Sequence, residues 1–309
     1  EQKNYLPKRN RRLIGMLGNK SKEKIIEIGC TNALTKLKRT IPYGWDLNLY
    51  KGCSHQCKYC YAIYSQDVSG TGDFSIVAVK KNIVELLEQE LSSPDWRREI
   101  VNIGGVTDSY QAAEAEMRLM PEVLRLLIKY KTPAIISTKS DLVLRDYDLI
   151  AELASLTYVN IASTITTMDE TVRRKIEPYG SPGPDRFAML KEFRKTNAST
   201  GLHVMPIIPY ITDSYESIEQ LCLAAAHSNV HYMLPGVLYL RGATRKVFFD
   251  FIQKEYPAHY ESLNKLYKTG GVGNAYKEKL YGEIVNPLRT KYKISSSYMN
   301  IIKEKLSKQ

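Results

Sequence analysis

The chain lacks any run of about 18 apolar residues, so no membrane-spanning helix is expected. Its opening is polar and basic, which is not the pattern of a secretory leader. Cysteine is scarce, five in 309 residues, and three of the five crowd together, which does not look like a disulfide framework. Crowded thiols imply a reducing compartment, and the cytoplasm is the expected location. No internal repeat and no low-complexity tract appears. Apolar and charged fractions of 43% and 25% are ordinary for a globular protein, and the length suits one large domain or a barrel with decorations.

Positive charge is present in excess and unevenly placed. Residues 1–40 carry 11 Lys/Arg against 3 Asp/Glu, residues 41–240 carry 19 against 24, and residues 241–309 carry 14 against 6. Both ends are therefore basic around a mildly acidic centre. Such ends suit DNA or RNA through phosphate contacts and counterion release; solvated lysine-rich helices would give the same composition.

The three crowded cysteines are Cys53, Cys57 and Cys60, in the run GCSHQCKYCY from Gly52 to Tyr61. Thiolates this close can wrap one metal centre, and soft sulfur ligands favour iron–sulfur clusters or zinc. Three ligands leave a four-iron cluster one cysteine short, so one iron is open to a substrate or cofactor. A structural zinc site completed by His55 is the competing arrangement. It is awkward, because His55 lies two residues from both Cys53 and Cys57 and such sites favour separated ligand pairs.

Strand-like runs recur at residues 45–50, 100–104, 134–138, 158–164, 202–208 and 230–240, apolar on both parities as doubly covered strands should be. Helical stripes lie between them: Ile83, Val84, Leu87 and Leu91; Val123, Leu124, Leu127 and Ile128 with Pro121 in the first turn; Leu149, Ile150 and Leu153. Asp185 can cap a helix running to Lys195, and Asp213 or Ser214 one carrying Ile218, Leu221, Cys222 and Ala225. Alternation of this kind implies a parallel sheet with right-handed crossovers. The expected fold is α/β: a partial (β/α)6 TIM-type barrel over 45–240, preceded by a basic extension (1–44) and followed by a basic helical region (241–309). Active sites of such barrels lie at the strand C-terminal ends, where the cysteine loop falls.

The spacing Cys-x3-Cys-x2-Cys, with an aromatic before the last cysteine, resembles the radical SAM superfamily. The resemblance implies a [4Fe–4S] cluster held by Cys53, Cys57 and Cys60, with S-adenosylmethionine on the open iron. It also implies cleavage of the sulfonium to a 5′-deoxyadenosyl radical that takes a hydrogen atom from substrate, with an electron donor such as flavodoxin or ferredoxin. The cofactor carries that chemistry, while the protein binds, orients and excludes water. Gly104 and Gly105, with Thr107 and Asp108, match the segment that binds the amino group of S-adenosylmethionine. Lys139, beside Ser137, could anchor its carboxylate. Ser163, with Thr164, ends the fourth strand, where ribose or carboxylate contacts are common.

The span 45–240 is similar to the spore photoproduct lyase-like branch. The matching text is Asn48 to His55, Val106 to Glu114, Ser137 to Asp146, Glu177 with Pro178, and Pro206 to Pro209. In such lyases tyrosines beside the cluster relay a hydrogen atom, and Tyr59 and Tyr61 occupy the matching positions; adenine contact is the plainer role for Tyr59. One departure stands out. The lyases use a cysteine after the second strand, and this chain has none between Cys60 and Cys222.

Cys222 lies on an apolar stripe and reads as core, as does Cys30 in a strand-like run. His203 reads as a core or strand-end histidine, and His227, His231 and His259 show no ligand spacing. Glu177 and Arg186 are expected to pair, Arg241 ends the last strand, and residues 269–274 read as a helix–helix turn. The functional expectation is a radical SAM enzyme acting on a nucleic acid, by lesion cleavage or base modification. Radical chemistry on a peptide, protein or small molecule, or a metal-stapled nucleic-acid-binding protein without turnover, are the alternatives.

Overall fold

The computed structural model describes residues 24–38, 43–63 and 76–306. The basic run Lys8 to Arg12 lies outside the described residues. Among the described residues ten strands run in chain order: β1 (Lys24–Ile28), β2 (Leu34–Lys36), β3 (Trp45–Leu47), β4 (Tyr50–Lys51), β5 (Ile76–Lys80), β6 (Val101–Ile103), β7 (Ala134–Thr138), β8 (Val159–Thr164), β9 (Ser199–Ile207) and β10 (Tyr232–Val237).

The main sheet has seven strands in the order β10-β9-β8-β7-β6-β3-β2. Six of them, β3 and β6 through β10, are parallel and neighbour one another in chain order, and β2 adds an antiparallel edge beside β3. This is a singly wound, partial TIM-type barrel, and its six parallel strands fall on the six apolar runs. The first run divides. After Leu47 the chain leaves the barrel, and Tyr50–Lys51 pairs with β5 in a second sheet, order β1-β5-β4.

The helices pack as their stripes require. Ile83–Ser92 buries Ile83, Leu87 and Leu91; Leu119–Lys129 buries Val123, Leu124 and Leu127; Tyr147–Leu156 buries Ile150 and Leu153. Ser214 caps Tyr215–His227 by accepting from Ser217 N at 3.1 Å, while Asp213 instead accepts from the Tyr276 hydroxyl at 2.5 Å. Asp185 is not a cap. The helix starts two residues earlier, at Gly183, because Pro184 is preorganised for a first turn.

The basic C-terminal helices are part of the same packing. Leu280, Val285, Leu288 and Ile294 join the main core. Phe248, Phe251 and Ile252 of the helix Gly242–Glu255 form a second cluster with Cys57 and Tyr59. Burying an aromatic such as Phe248 contributes about 1.5–3 kcal/mol, so this layer holds the cysteine loop down from outside the barrel. The 269–274 turn joins two helices as expected, and Gly270, at φ +89°, also accepts from Leu240 N at 2.7 Å.

Candidate active site

The cysteine loop follows the first barrel strand and bends through two left-handed residues, Gly52 (φ +80°) and Gln56 (φ +51°). Its shape is imposed from three sides. The Gly52 carbonyl accepts from Thr107 Oγ1 at 2.6 Å and Gln111 Nε2 at 3.4 Å, and Ser54 N donates to Gln111 Oε1 at 2.8 Å. Lys58 N donates to the Ile176 carbonyl at 2.9 Å. The Cys60 carbonyl accepts from Thr244 Oγ1 at 2.9 Å.

His55 and Asp108 tie the loop to two strand ends. His55 Nε2 donates to Asp108 Oδ2 at 2.9 Å, and Nδ1 faces the Tyr179 carbonyl at 3.1 Å. Both ring nitrogens face protein oxygens, so His55 is engaged by Asp108 and Tyr179. Asp108 also accepts from Thr138 Oγ1 at 2.8 Å, Lys139 N at 2.7 Å and Tyr110 N at 2.9 Å. Burial alone would raise its pKa, but the His55 charge and these hydrogen bonds hold the carboxyl well below the usual range.

A cavity of about 740 Å³ opens at the strand C-terminal ends. It is lined by Cys53, Cys57, Cys60, Tyr59, Tyr61, Gly104, Gly105, Asp108, Ser137 and Lys139, so ten of the twelve predicted site residues converge. Gly104 has φ +85°, and a Cβ there would stand 2.4 Å from the Ser137 carbonyl oxygen, so only glycine lets the two strand ends approach. The Lys139 ammonium lies 5.9 Å from the centre of the Tyr59 ring. Burial would lower its pKa, but the Cys57, Glu177 and Asp108 charges outweigh that and raise it.

Two predicted residues do not reach the cavity. Ser163 is buried and donates to the Thr138 carbonyl at 2.8 Å; its neighbour Thr164, on the other face of β8, lines the cavity instead. Thr107 is turned onto the Gly52 carbonyl and braces the loop. The Tyr59 hydroxyl donates to Glu177 Oε1 in a buried contact. Glu177 is fully buried with Arg186, their charged atoms 2.6 Å apart, and Arg186 also donates to the carbonyl of Thr164 at the end of β8. Tyr61 is exposed and its hydroxyl donates to the Gly105 carbonyl. Cys222 is buried against Met233, whereas Cys30 is only half-buried, its backbone N donating to Asn82 Oδ1 at 2.9 Å.

His203, read as a core or strand-end histidine, lines the cavity. The apolar neighbours Leu202 and Val204 point to the opposite face and leave His203 facing inward. At the mouth a smaller pocket of about 220 Å³ is formed by Tyr61, Tyr239, Arg241 and Thr244. The Arg241 guanidinium lies 5.0 Å from the centre of the Tyr239 ring.

The thiols suit anionic ligation. Burial pushes Cys53 up to about 12 and raises Cys57 and Cys60, so a bare thiolate is disfavoured unless a cation accepts it. Backbone N–H groups of His55 and Asp108 at Cys53, and of Ala62 and Ile63 at Cys60, oppose that rise by pointing at the sulfurs. Among the described residues no three His, Cys, Asp or Glu side chains close on a single ion. A polynuclear centre needs only one thiolate per iron around a larger body, and the three cysteines meet that.

Comparison with known proteins agrees with this geometry. The sequence model of the Radical SAM superfamily matches residues 47–222. An uncharacterized protein of Mycobacterium tuberculosis is 34% identical over 280 residues, covering 88% of this chain and 82% of its own length. One from Methanocaldococcus jannaschii is 27% identical, covering 88% and 95%. Among solved structures, spore photoproduct lyase complexed with dinucleoside spore photoproduct superposes with a TM-score of 0.64 at 13% identity, over 87% of this chain and 79% of that one. The lyase has also been seen with bound AdoMet and the same dinucleoside, at a TM-score of 0.63 and 14% identity over the same shares. At such low identity these superpositions show a shared fold alone. Among the described residues no helix is long and apolar enough to cross a membrane.

Proposed function

The chain belongs to the radical SAM superfamily and is an enzyme of that class, and from that premise we propose that it acts on a nucleic acid, one base of which enters the cavity for modification. Cys53, Cys57 and Cys60 would hold the [4Fe–4S] cluster that the superfamily uses, and Lys139 with the Gly104–Gly105 turn would seat S-adenosylmethionine. With both bound and one electron from a flavodoxin- or ferredoxin-type donor, the site would supply radical hydrogen abstraction through the deoxyadenosyl group of S-adenosylmethionine. The protein's own part is positioning: Asp108 and Gln111 fix the loop, Lys139 offers a cation to a carboxylate, and the C-terminal helix closes the outer side. Three closely spaced thiols suit a cytoplasmic location.

The observation that carries the nucleic-acid reading is at the mouth. Tyr61, 59% exposed, and Tyr239, 50% exposed, are the two most exposed large apolar side chains among the described residues, and both line the entrance beside Arg241. Exposed aromatic faces suit unstacked bases, and the C-terminal region's excess of Lys and Arg suits phosphate. A base must leave its stack to reach a cavity of this kind. No thiol other than those of the cluster loop lines the cavity, which favours base modification over a lyase reaction with a cysteine hydrogen donor. Of the two tyrosines matched to a relay, Tyr61 stands where substrate enters, whereas Tyr59 is tied to Glu177.

The test is binding of a labelled single-stranded oligonucleotide at about 50 and 200 mM salt, where several phosphate contacts predict a log-linear loss of affinity. Absence of binding at the lower salt overturns the reading in favour of a peptide or small-molecule substrate. Ultraviolet-irradiated DNA is the first activity substrate to try.

A further inference from the structure

His203 stands on β9 between Leu202 and Val204, which are fully buried, and it faces the cavity with Met205 and Thr164 nearby on the wall. Beside it lies Tyr232 of β10, the two ring centres 6.0 Å apart. Tyr232 crosses β9 at Gly201, where a Cβ would come within 2.1 Å of its ring. The missing side chain at Gly201 is what admits the tyrosine to this position.

A directed chain of hydrogen bonds runs through these residues toward the cavity. Ser199 Oγ donates to Asn160 Oδ1 at 2.7 Å, which turns the amide so that Nδ2 donates to the Tyr232 hydroxyl at 3.0 Å. The tyrosine has one hydrogen to give, and its remaining partner is His203 Nε2 at 3.4 Å. Nε2 is therefore the acceptor nitrogen. Burial, with the Lys139 charge adding to it, lowers the His203 pKa to about 4, so the ring is neutral near pH 7 and carries its single hydrogen on Nδ1. Among the described residues Nδ1 has no hydrogen-bond partner, and it is not sealed away from the cavity.

We propose that His203 is a specificity-determining donor whose Nδ1–H, fixed by the Tyr232 hydroxyl, bonds a neutral acceptor, a carbonyl oxygen or an unprotonated ring nitrogen, on a heteroaromatic base in the cavity. That the base belongs to substrate rests on the nucleic-acid reading; the adenine of S-adenosylmethionine offers the same chemistry. A base presenting a donor edge at this point leaves the Nδ1–H unpaired in a buried site and binds roughly tenfold more weakly or worse.

Long-range proton–nitrogen NMR of the cluster-loaded full chain, labelled at histidine, reads the tautomer directly, with His203→Gln assigning the signal. The expected result is a neutral ring protonated on Nδ1, with Tyr232→Phe releasing a mixture of tautomers. A ring protonated on Nε2 in the parent protein, or a tautomer unchanged by Tyr232→Phe, overturns the proposal. Titration calorimetry of His203→Phe then locates the acceptor. A three- to tenfold loss of S-adenosylmethionine affinity assigns it to the cofactor. Unchanged cofactor affinity with a similar loss for a thymidine oligonucleotide assigns it to substrate. No change in either, in a parent that binds both, overturns the binding role. A parent that binds no oligonucleotide sinks the nucleic-acid reading and leaves the tautomer result standing.

Discussion

His55 Nε2 and Asp108 Oδ2 meet at 2.9 Å, joining the cysteine loop to the loop after the second barrel strand. The contact is buried on both sides and is backed by Thr138 and the Lys139 amide, so one carboxylate registers three segments of chain. Asp108→Ala would leave the His55 ring and those donors without an acceptor. Losing one partner of a buried pair costs about 3–5 kcal/mol. Urea unfolding should show that loss, and iron bound per chain after anaerobic reconstitution should fall with it; parent-like stability would remove Asp108 from this role.

Stability should depend on pH through His203. Its folded pKa of about 4 lies below the ordinary histidine value of 6.5, so the unfolded chain takes up the proton first. The stabilisation is present above pH 6.5 and is lost as pH falls through the window to about 4, a difference on the order of 3 kcal/mol. Unfolding free energies at pH 7 and 4.5 should differ less in His203→Gln than in the parent. Parallel pH curves for the two proteins would contradict the assignment.

Gly104→Ala places a methyl group 2.4 Å from a backbone oxygen that cannot rotate away, at a left-handed φ of +85°. Strain of roughly 1–3 kcal/mol is expected, with weakened binding of S-adenosylmethionine because the turn must open. Calorimetric melting and cofactor titration measure the two effects separately.

Cys57→Ala removes one of three sulfurs at the cavity. Iron and inorganic sulfide should not be retained after anaerobic reconstitution, and formation of 5′-deoxyadenosine under dithionite should be abolished. Deoxyadenosine formed at the parent rate would refute the cluster assignment.

Lys139→Ala should separate cofactor binding from cluster binding. A charge-assisted hydrogen bond contributes about 1.5–3 kcal/mol, so affinity for S-adenosylmethionine should fall roughly ten- to a hundredfold. Iron content should stay at the parent level, and unchanged affinity would move the carboxylate anchor elsewhere.

Much of the barrel was legible before the structure because parallel strands covered on both faces write unbroken apolar runs, as at Ala134–Thr138, which matched its strand residue for residue. The small second sheet was not. Tyr50–Lys51 is two residues long and pairs with a distant partner, so no local period reveals it. At the site, Cys53, Cys57 and Cys60 announced themselves by spacing, whereas Ser163 and Thr164 could not be told apart, since adjacent strand residues point to opposite faces and the register decides which is inward. Thr107, expected beside the cofactor, is turned onto the Gly52 carbonyl, and Gln111 braces the same loop.

By itself the sequence determined that three thiols within eight residues after a strand could hold one metal centre, and the resemblance of their spacing to the radical SAM superfamily supplied the chemical class. It also determined the strand and helix alternation, because burial on a pleated or helical surface imposes a local period. Tertiary structure alone decided that His203 faces the cavity with Nε2 beside the Tyr232 hydroxyl. It also decided that Asp108 holds His55, and that a C-terminal helix seals the loop through Thr244. Those outcomes depend on donors and acceptors separated by tens of residues or more, whose meeting is set by the closing of the barrel and leaves no trace in local composition.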